Sequence, residues 1–331
     1  MITPLIAGNT VVLKTSEIVP QTQSLWAELL YASGLPRECL SVIHVAPQDA
    51  PVILPAIIAD PRTRHINFTG STRVGSILAS QAGQHLKPIL AELGGKAPVL
   101  LMLDADLEVA ASHINAQPDS TVVLGSWMNA GQICMSTEKV FVPESRYDEL
   151  CRALRTSWAS ISKNGTKALY SQDSGERVRR LVKDALKEGA TSVLEPDAQE
   201  DEALGAFVKP TILGPGRSSM RLYREESFGP VSLIVPVPDV QSTEDELIDK
   251  MVALANDSEY GLSAAVWTRD ITKAKAVAGR LEFGAIHING STCHDLPEVP
   301  HGGCKSSGWG RFNGADGIEA FTQVGINLPC G

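Results

Sequence analysis

A cysteine and a glutamate, each beside glycine, have the side chains that covalent catalysis on a carbonyl compound needs. Cys134 ends the segment NAGQIC, whose glycine lets a substrate carbonyl approach the thiolate. A thiolate is a strong nucleophile toward aldehydes, and the Cys134 backbone N–H can donate to the oxyanion that forms. The alternative for Cys134 is a small buried apolar residue without chemistry.

Glu92 lies in the segment ILAELGGK, between apolar residues and two glycines. Burial disfavours the charged form of a carboxylate, which favours a side chain that accepts a proton near neutral pH. Glu92 is therefore predicted to be a general base. The alternative is a glutamate at the end of a strand that forms an ion pair with Lys96.

The segment FTGSTRVG follows a predicted strand and is suited to bind phosphate. Gly70 lets the backbone approach a ligand, and Ser71 or Thr72 can cap the helix that follows. The start of this helix, which includes Gly75, offers free N–H groups to an anion. The segment is not the usual dinucleotide motif GxGxxG, and a capped turn without a ligand is the alternative.

Two further segments carry carboxylates suited to ribose hydroxyls. Lys14 and Glu17 follow a predicted parallel strand, where ligands bind open sheets, and the Glu17 carboxylate would repel a 2′-phosphate, which favours NAD over NADP. In EESFGP, Glu226 can contact a second ribose and Phe228 can pack near a nicotinamide. The alternatives are an exposed ion pair at a helix start and a turn with an aromatic anchor.

The composition predicts about two domains and argues against several kinds of partner. The 331 residues have a formal net charge of -9 without a basic stripe, so neither nucleic acid nor an anionic membrane is expected. No stretch reaches the roughly 18–20 apolar residues that span a bilayer. Six cysteines without paired spacing indicate a reduced, cytoplasmic protein. No metal-binding motif occurs, so no metal is predicted.

Short β-branched runs alternate with helical patterns, which predicts an α/β fold with an open parallel sheet. Two polar stretches, 113–120 and 195–205, are predicted to be loose, and 301–308 to be a flexible surface loop. Residues 318–326 are expected to form a short helix and then a strand. The predicted strands are 9–14, 41–46, 65–69, 87–92, 97–103, 264–268 and 285–289, and the predicted helices include 21–32, 51–59, 175–189 and 272–281.

Six segments resemble motifs of the aldehyde dehydrogenase superfamily and occur in that family's order: AGNTVVLKTSE, FTGSTRVG, ELGGK, NAGQIC, EESFGP and PHGGCKSSGWGR. The resemblance runs from about Leu5 to the C-terminus. The stretch HDLPEVPHGGCKSSGWGR looks closest to members that act on aromatic aldehydes such as salicylaldehyde or vanillin. The implied reaction is thiolate attack on an aldehyde, hydride transfer to NAD and hydrolysis of the thioester to a carboxylic acid.

The resemblance implies a role for each matching position. Cys134 matches the family's catalytic thiol, and Glu92 matches the general base that deprotonates the thiol or the hydrolytic water. Lys14 and Glu17 are the implied contacts to the adenosine ribose. The implied contacts on the nicotinamide side are Glu226 and Phe228. Those around the pyrophosphate are Gly70, Ser71, Thr72 and Gly75.

The resemblance also implies a domain plan with a missing beginning. Residues 1–93 would form a partial, Rossmann-like NAD-binding domain, 94–305 an α/β catalytic domain, and 306–331 a tail left from the oligomerisation element. The family carries a segment ahead of AGNTVVLK that holds the first strands, one arm of that element and an asparagine donor to the oxyanion. Its absence predicts a truncated member with exposed apolar sheet edges, slower turnover and an incomplete homo-oligomer contact.

The 42 residues from Glu92 to Cys134 exceed the spacing of the family by about two helical turns. The extra residues are expected at 113–120, where Pro118 and Asp119 would interrupt the helix that leads to the cysteine. Three functions therefore stay open: an aldehyde dehydrogenase, a truncated and impaired homologue with a binding or regulatory role or none, and a thiol-dependent esterase or acyl transferase.

Overall fold

A computed structural model describes residues 1–115, 125–160, 168–194, 205–323 and 325. The chain divides into two compact units. The predicted boundary at residue 93 falls beside this division, and two later segments join the first unit. Unit 1 comprises Met1–Glu92, Leu296–Gly302 and Trp309–Gly331, and unit 2 comprises Leu93–Asp295 and Gly303–Gly308.

Unit 1 alternates strands and helices as the sequence predicts. Its elements are α1 (Ile2–Ile6), β1 (Val11–Lys14), α2 (Pro20–Ala32), β2 (Leu40–Ile43), α3 (Ala50–Ala59), β3 (Ile66–Thr69), α4 (Thr72–Gln84) and β4 (Ile89–Glu92). Strand β1 pairs in parallel with β2, and β3 pairs in parallel with β4, where Thr69 lies opposite Glu92. Proline at the start of α2 and α3 suits a position whose N–H has no helical partner.

Two predictions of local structure are wrong. Residues 113–115 were expected to be loose but end a helix, and the C-terminal helix is Gly314–Glu319 rather than part of 318–326. The two glycines of GADGIE have low helix propensity, which disfavours a helix in isolation. In the structure Gly317 packs closely on Phe312, since a Cβ on Gly317 would lie 3.1 Å from the carbonyl carbon of Phe312. All of 116–120, all of 195–204 and the end of 318–326 lie outside the described residues.

Unit 2 is built on one large sheet with helices around it. Its elements are β5 (Ala97–Leu101), α5 (Leu107–Asn115), β6 (Thr137–Pro143), α6 (Tyr147–Ser160), α7 (Gln172–Lys187), β7 (Thr191–Ser192), β8 (Thr211–Gly214), α8 (Arg221–Arg224), β9 (Val231–Val237), α9 (Glu244–Asn256), β10 (Tyr260–Gly261), β11 (Ser263–Trp267), α10 (Ile271–Ala278), β12 (Ala285–Ile288) and β13 (Cys304–Lys305). The seven strands have the order β12-β11-β5-β6-β9-β8-β7, and all neighbours are parallel except β7 and β8.

Two apolar clusters cover the two faces of this sheet. Leu233 and Val235 of β9 belong to one cluster with residues of α7 and α9, whereas Ile234 belongs to the other with residues of α5 and α6. This alternation follows from the two-residue period of a strand, and burial of both faces explains why the strands are almost wholly apolar. The α/β fold with a parallel sheet is confirmed. None of the described helices is both long and apolar enough to cross a bilayer.

Candidate active site

A left-handed turn leads the chain to Cys134. Asn129, Ala130 and Gly131 have φ values of 52°, 58° and 70°, a conformation that residues with a Cβ adopt at an energetic cost. A Cβ on Gly131 would lie 2.0 Å from the carbonyl oxygen of Gly229, so only glycine fits there. Cys134 itself is half-buried and precedes β6. The turn therefore fixes a thiol that is neither fully exposed nor sealed in the core.

The two glycines after Glu92 bring the Cys134 segment and Glu226 against the same stretch of backbone. A Cβ on Gly95 would lie 1.9 Å from the Cys134 carbonyl oxygen, and one on Gly94 would lie 2.7 Å from Glu226 Oε2. The Gly95 N–H donates to Glu226 Oε1 at 2.9 Å. The predicted nucleophile and the predicted ribose contact are thus brought together around Gly94 and Gly95.

The Glu226 carboxyl is half-buried. Burial, followed by the negative charge of Glu138, raises the pKa of Glu226 to about 7. Arg177 Nη1 donates to the backbone oxygen of Glu226 at 2.9 Å and steadies the segment from the other side. Near neutral pH this group therefore exchanges between the acid and the carboxylate.

Glu138 is a structural partner that sequence reasoning missed. It forms a buried ion pair with Lys96, so Lys96 is not the partner of Glu92 that the sequence allowed. The Glu138 carboxylate also accepts the N–H groups of Ser227, at 2.8 and 2.9 Å, and of Phe228, at 3.3 Å. These bonds hold Phe228 at a φ of 44°. Two adjacent charged residues, Glu138 and Lys139, at the start of a strand that ends in the apolar run VFVP were the available signal.

Lys139, next to Glu138, is a fully buried amine. Its Nζ has no hydrogen-bond partner among the described residues and lies 4.6 Å from the centroid of the Tyr223 ring. Burial, followed by the positive charge of Lys96, lowers the pKa of Lys139 to about 7. Between pH 7 and 10.5 the unfolded chain binds a proton there that the folded chain does not. The contribution of Lys139 to the free energy of unfolding is therefore most favourable above pH 10.5, and it decreases as the pH falls to about 7.

The variant Lys139→Met is expected to be more stable than the wild-type protein at pH 7. An apolar side chain of similar length removes the cost of burying the amine. The expected rise in Tm is at least about 2–4 °C, and the increase of wild-type stability between pH 7 and 10 should flatten. Thermal unfolding followed by circular dichroism at several pH values measures both effects.

The exposed residue Lys187 provides the matched control, since Lys187→Met removes one positive charge from the surface of α7. This control should leave the pH dependence of unfolding unchanged. An equal or lower Tm for Lys139→Met at pH 7 would contradict the assignment of a buried neutral amine.

Unit 1 contains the predicted contacts for the adenosine part of a cofactor. Lys14 ends the parallel strand β1, and its Nζ forms an ion pair with Glu17 Oε2 at 2.8 Å. The hydrogen bond from Lys14 is the main cause that lowers the pKa of Glu17. The pair lies at the carboxyl end of a parallel strand, as predicted, and Glu17 is a carboxylate at neutral pH.

The predicted phosphate turn has the features that an anion requires. Ser71 caps α4 by accepting the N–H of Val74 at 3.4 Å, and Thr72 is the first residue of that helix. The first turn contains no acidic residue, and Gly75 is buried within it. A Cβ on Gly70 would lie 2.5 Å from the Phe68 ring, so a side chain at this position would require the ring to shift.

Glu92 ends β4 and is 5% exposed. Its Oε2 lies 3.5 Å from Nε2 of His301, which is also buried, whereas its Oε1 has no hydrogen-bond partner among the described residues. The expectation that 301–308 is a flexible surface loop is therefore wrong for His301. Glu92 belongs to unit 1 and Cys134 to unit 2.

A sequence profile of the aldehyde dehydrogenase family matches residues 1–326. The chain belongs to the aldehyde dehydrogenase family. The chain is 42% identical over 327 residues to vanillin dehydrogenase of Pseudomonas sp. strain HR199, an alignment that covers 97% of the chain and 64% of the relative. The chain thus spans less than two thirds of the length of that relative.

Two solved structures of this family are similar to the chain. The salicylaldehyde dehydrogenase of Pseudomonas putida G7, complexed with salicylaldehyde, has a TM-score of 0.85 and 40% identity, over 97% of this chain and 63% of its own. The aldehyde dehydrogenase of Mycobacterium tuberculosis, complexed with NAD+, has a TM-score of 0.83 and 32% identity, over 99% of this chain and 65% of its own.

The predicted cofactor contacts of this chain fit a nicotinamide dinucleotide in chemical type. The open start of α4 suits a pyrophosphate, because free N–H groups and the helix dipole attract anions. Lys14 and Glu17 offer a donor and an acceptor to ribose hydroxyls, and Glu226 offers a second carboxyl group. This donor set is what a dinucleotide with two riboses requires.

Proposed function

We propose that this aldehyde dehydrogenase oxidises an aromatic aldehyde, such as vanillin or salicylaldehyde, to the carboxylic acid with NAD as hydride acceptor. The observation that carries the proposal is the close packing of Gly94 and Gly95 against the Cys134 segment and the Glu226 carboxyl. The substrate class rests on the similarity to vanillin and salicylaldehyde dehydrogenases.

In the proposed mechanism the Cys134 thiolate attacks the aldehyde carbon, and the carbonyl π-electrons move to oxygen. The backbone N–H of Cys134 can donate to this oxyanion. A nicotinamide bound beside this segment would supply the hydride acceptor, and loss of the hydride from the thiohemiacetal carbon leaves a thioester on Cys134. Glu92 then takes a proton from a water molecule as its oxygen attacks the thioester. The C–S bond breaks, and the thiolate of Cys134 is released with the carboxylic acid.

The preference for NAD rests on the ion pair between Lys14 and Glu17. A carboxylate that accepts a ribose 2′-hydroxyl leaves no room for a 2′-phosphate and repels its charge. The lowered pKa of Glu17 keeps this repulsion present throughout the neutral range. A nicotinamide cofactor without the 2′-phosphate is therefore the better match to this edge of unit 1.

The test is the rate of NADH or NADPH formation at 340 nm with vanillin or salicylaldehyde. The wild-type chain should use NAD, and Glu17→Gln should shift the ratio of kcat/KM for NAD over NADP toward NADP by about tenfold, because about 1.4 kcal/mol of repulsion disappears. Glu28→Gln is the matched control, since Glu28 lies on α2 and forms an exposed ion pair with Arg37. No reduced cofactor from the wild-type chain with either aldehyde would refute the proposed function.

A further inference from the structure

We propose that His301 is a positioning residue that shares a proton with Glu92 and so returns this general base to its carboxylate form. The role of Glu92 in this proposal rests on the proposed function. His301 Nε2 and Glu92 Oε2 are 3.5 Å apart, and each side chain is 7% exposed. Catalytic hydrogen bonds are often long in structures without substrate and shorten when it binds.

The imidazole of His301 is held in place by Phe312. The two residues form an isolated antiparallel bridge, in which the His301 N–H donates to Phe312 O at 2.8 Å and the Phe312 N–H donates to His301 O at 2.9 Å. Their rings also pack, with centroids 4.7 Å apart and planes tilted by 48°. These contacts fix the direction of the ring, as a residue that orients a catalytic carboxylate requires.

The backbone of Glu92 is held by a hydrogen bond, and its two carboxylate oxygen atoms have different surroundings. The Gly70 N–H donates to the Glu92 backbone oxygen at 3.0 Å, in continuation of the β3–β4 pairing. Oε2 faces His301, whereas Oε1 has no hydrogen-bond partner among the described residues. A buried carboxylate oxygen without a partner is costly unless water or substrate reaches it during the reaction.

One neighbouring strand and one neighbouring arginine are described on either side of this pair. Strand β3, which pairs with β4, has the sequence INFT and carries no titratable side chain. Arg311 lies close to Gly302, the residue that follows His301, since a Cβ on Gly302 would lie 2.8 Å from Arg311 Nη1. That guanidinium donates to Gly310 O at 2.7 Å. The Glu92 carboxylate faces the imidazole directly, with Oε2 3.5 Å from Nε2.

The proton path follows from this arrangement. Glu92 takes the proton of the attacking water on one oxygen atom while the water oxygen bonds to the thioester carbon. Rotation about the Cγ–Cδ bond turns the protonated oxygen toward His301, whose neutral Nε2 accepts the proton. Glu92 is again a carboxylate, and the imidazolium later releases the proton to water. No oxidant or reductant beyond the proposed reaction is required.

Nuclear magnetic resonance of the histidine Cε1–H groups tests the pair without any turnover. His301→Phe identifies the His301 signal, and Glu92→Gln should lower the titration midpoint of His301 by about one pH unit, because an adjacent carboxylate favours the imidazolium. His85, which is exposed at the end of α4, should keep its midpoint. An unchanged His301 midpoint in Glu92→Gln would overturn the proposal, even if the wild-type chain turned over no aldehyde.

Steady-state kinetics test the consequence for catalysis. His301→Phe keeps an aromatic ring beside Phe312 but removes the nitrogen atoms, so kcat should fall about 10–100-fold with little change in the KM for aldehyde. His301→Gln restores a hydrogen-bonding group without a proton acceptor and should not recover kcat. A wild-type kcat and pH profile in His301→Phe, or full recovery in His301→Gln, would refute proton sharing. Absence of turnover in the wild-type chain would instead refute the proposed function.

Discussion

Cys134→Ala should reduce the rate of aldehyde oxidation at least ~10,000-fold, because no other group in the proposed mechanism forms the covalent intermediate. Removal of the serine nucleophile of a protease costs on the order of 10⁶ in kcat. Binding of NAD should persist, since the predicted cofactor contacts lie on other residues. Absorbance at 340 nm and fluorescence titration with NADH measure the two quantities separately.

Cys39→Ala is the matched control for this experiment. Cys39 is also a half-buried free cysteine, and it precedes β2 in unit 1. Its replacement should leave the rate unchanged. Hydrolysis of an ester substrate that depends on Cys134 but not on NAD would favour the esterase alternative. Aldehyde oxidation that survives Cys134→Ala would exclude this thiol as the nucleophile.

Gly95→Ala should have the second-largest effect, a loss of kcat of about 100-fold or more. A methyl group at this position would lie 1.9 Å from the Cys134 carbonyl oxygen, and the obstacle is backbone that cannot rotate away. Relief of this overlap has to move the nucleophile or Gly95, whose N–H bonds to Glu226. A displacement of about 1 Å at a reacting group can cost about 100-fold.

Gly83→Ala separates this effect from the general effect of replacing glycine. Gly83 lies inside α4 with no atom within 4 Å of an added Cβ, so the change should raise stability by about 1 kcal/mol and leave the rate unchanged. Thermal unfolding and steady-state rates of both variants provide the comparison. Wild-type activity in Gly95→Ala would show that the close contact does not govern the chemistry.

The sequence predicts those parts of the candidate site that short segments of the chain determine. Glycines next to Cys134 and Glu92 mark close backbone approaches, and both glycine segments do lie within van der Waals distance of other backbone. The pairing of Lys14 with Glu17 and the cap at Ser71 are also local, because the partners are three residues apart. Such contacts depend on few neighbours, so spacing alone predicts them.

The remaining features arise from contacts between distant parts of the chain. Lys96 and Glu138 are 42 residues apart, and nothing near Lys96 in sequence favours Glu138 over Glu92. His301 follows a proline-containing polar segment that indicates exposure, but its bridge to Phe312 buries it. The choice between such partners is made by strand order and packing, which a single sequence does not specify.

The segments that carry Gly95, Cys134 and Glu226 come immediately before β5, β6 and β9, which are adjacent and parallel. The site in unit 2 therefore lies at the amino ends of these strands, whereas ligands usually bind open sheets at the carboxyl ends. The carboxyl ends of these three strands form the opposite edge of the sheet, where a chemical label can be attached away from the site. Val240 is 75% exposed just beyond the carboxyl end of β9, so a lysine substituted there can carry an amine-reactive fluorescent label or tether at the edge of the sheet opposite Cys134.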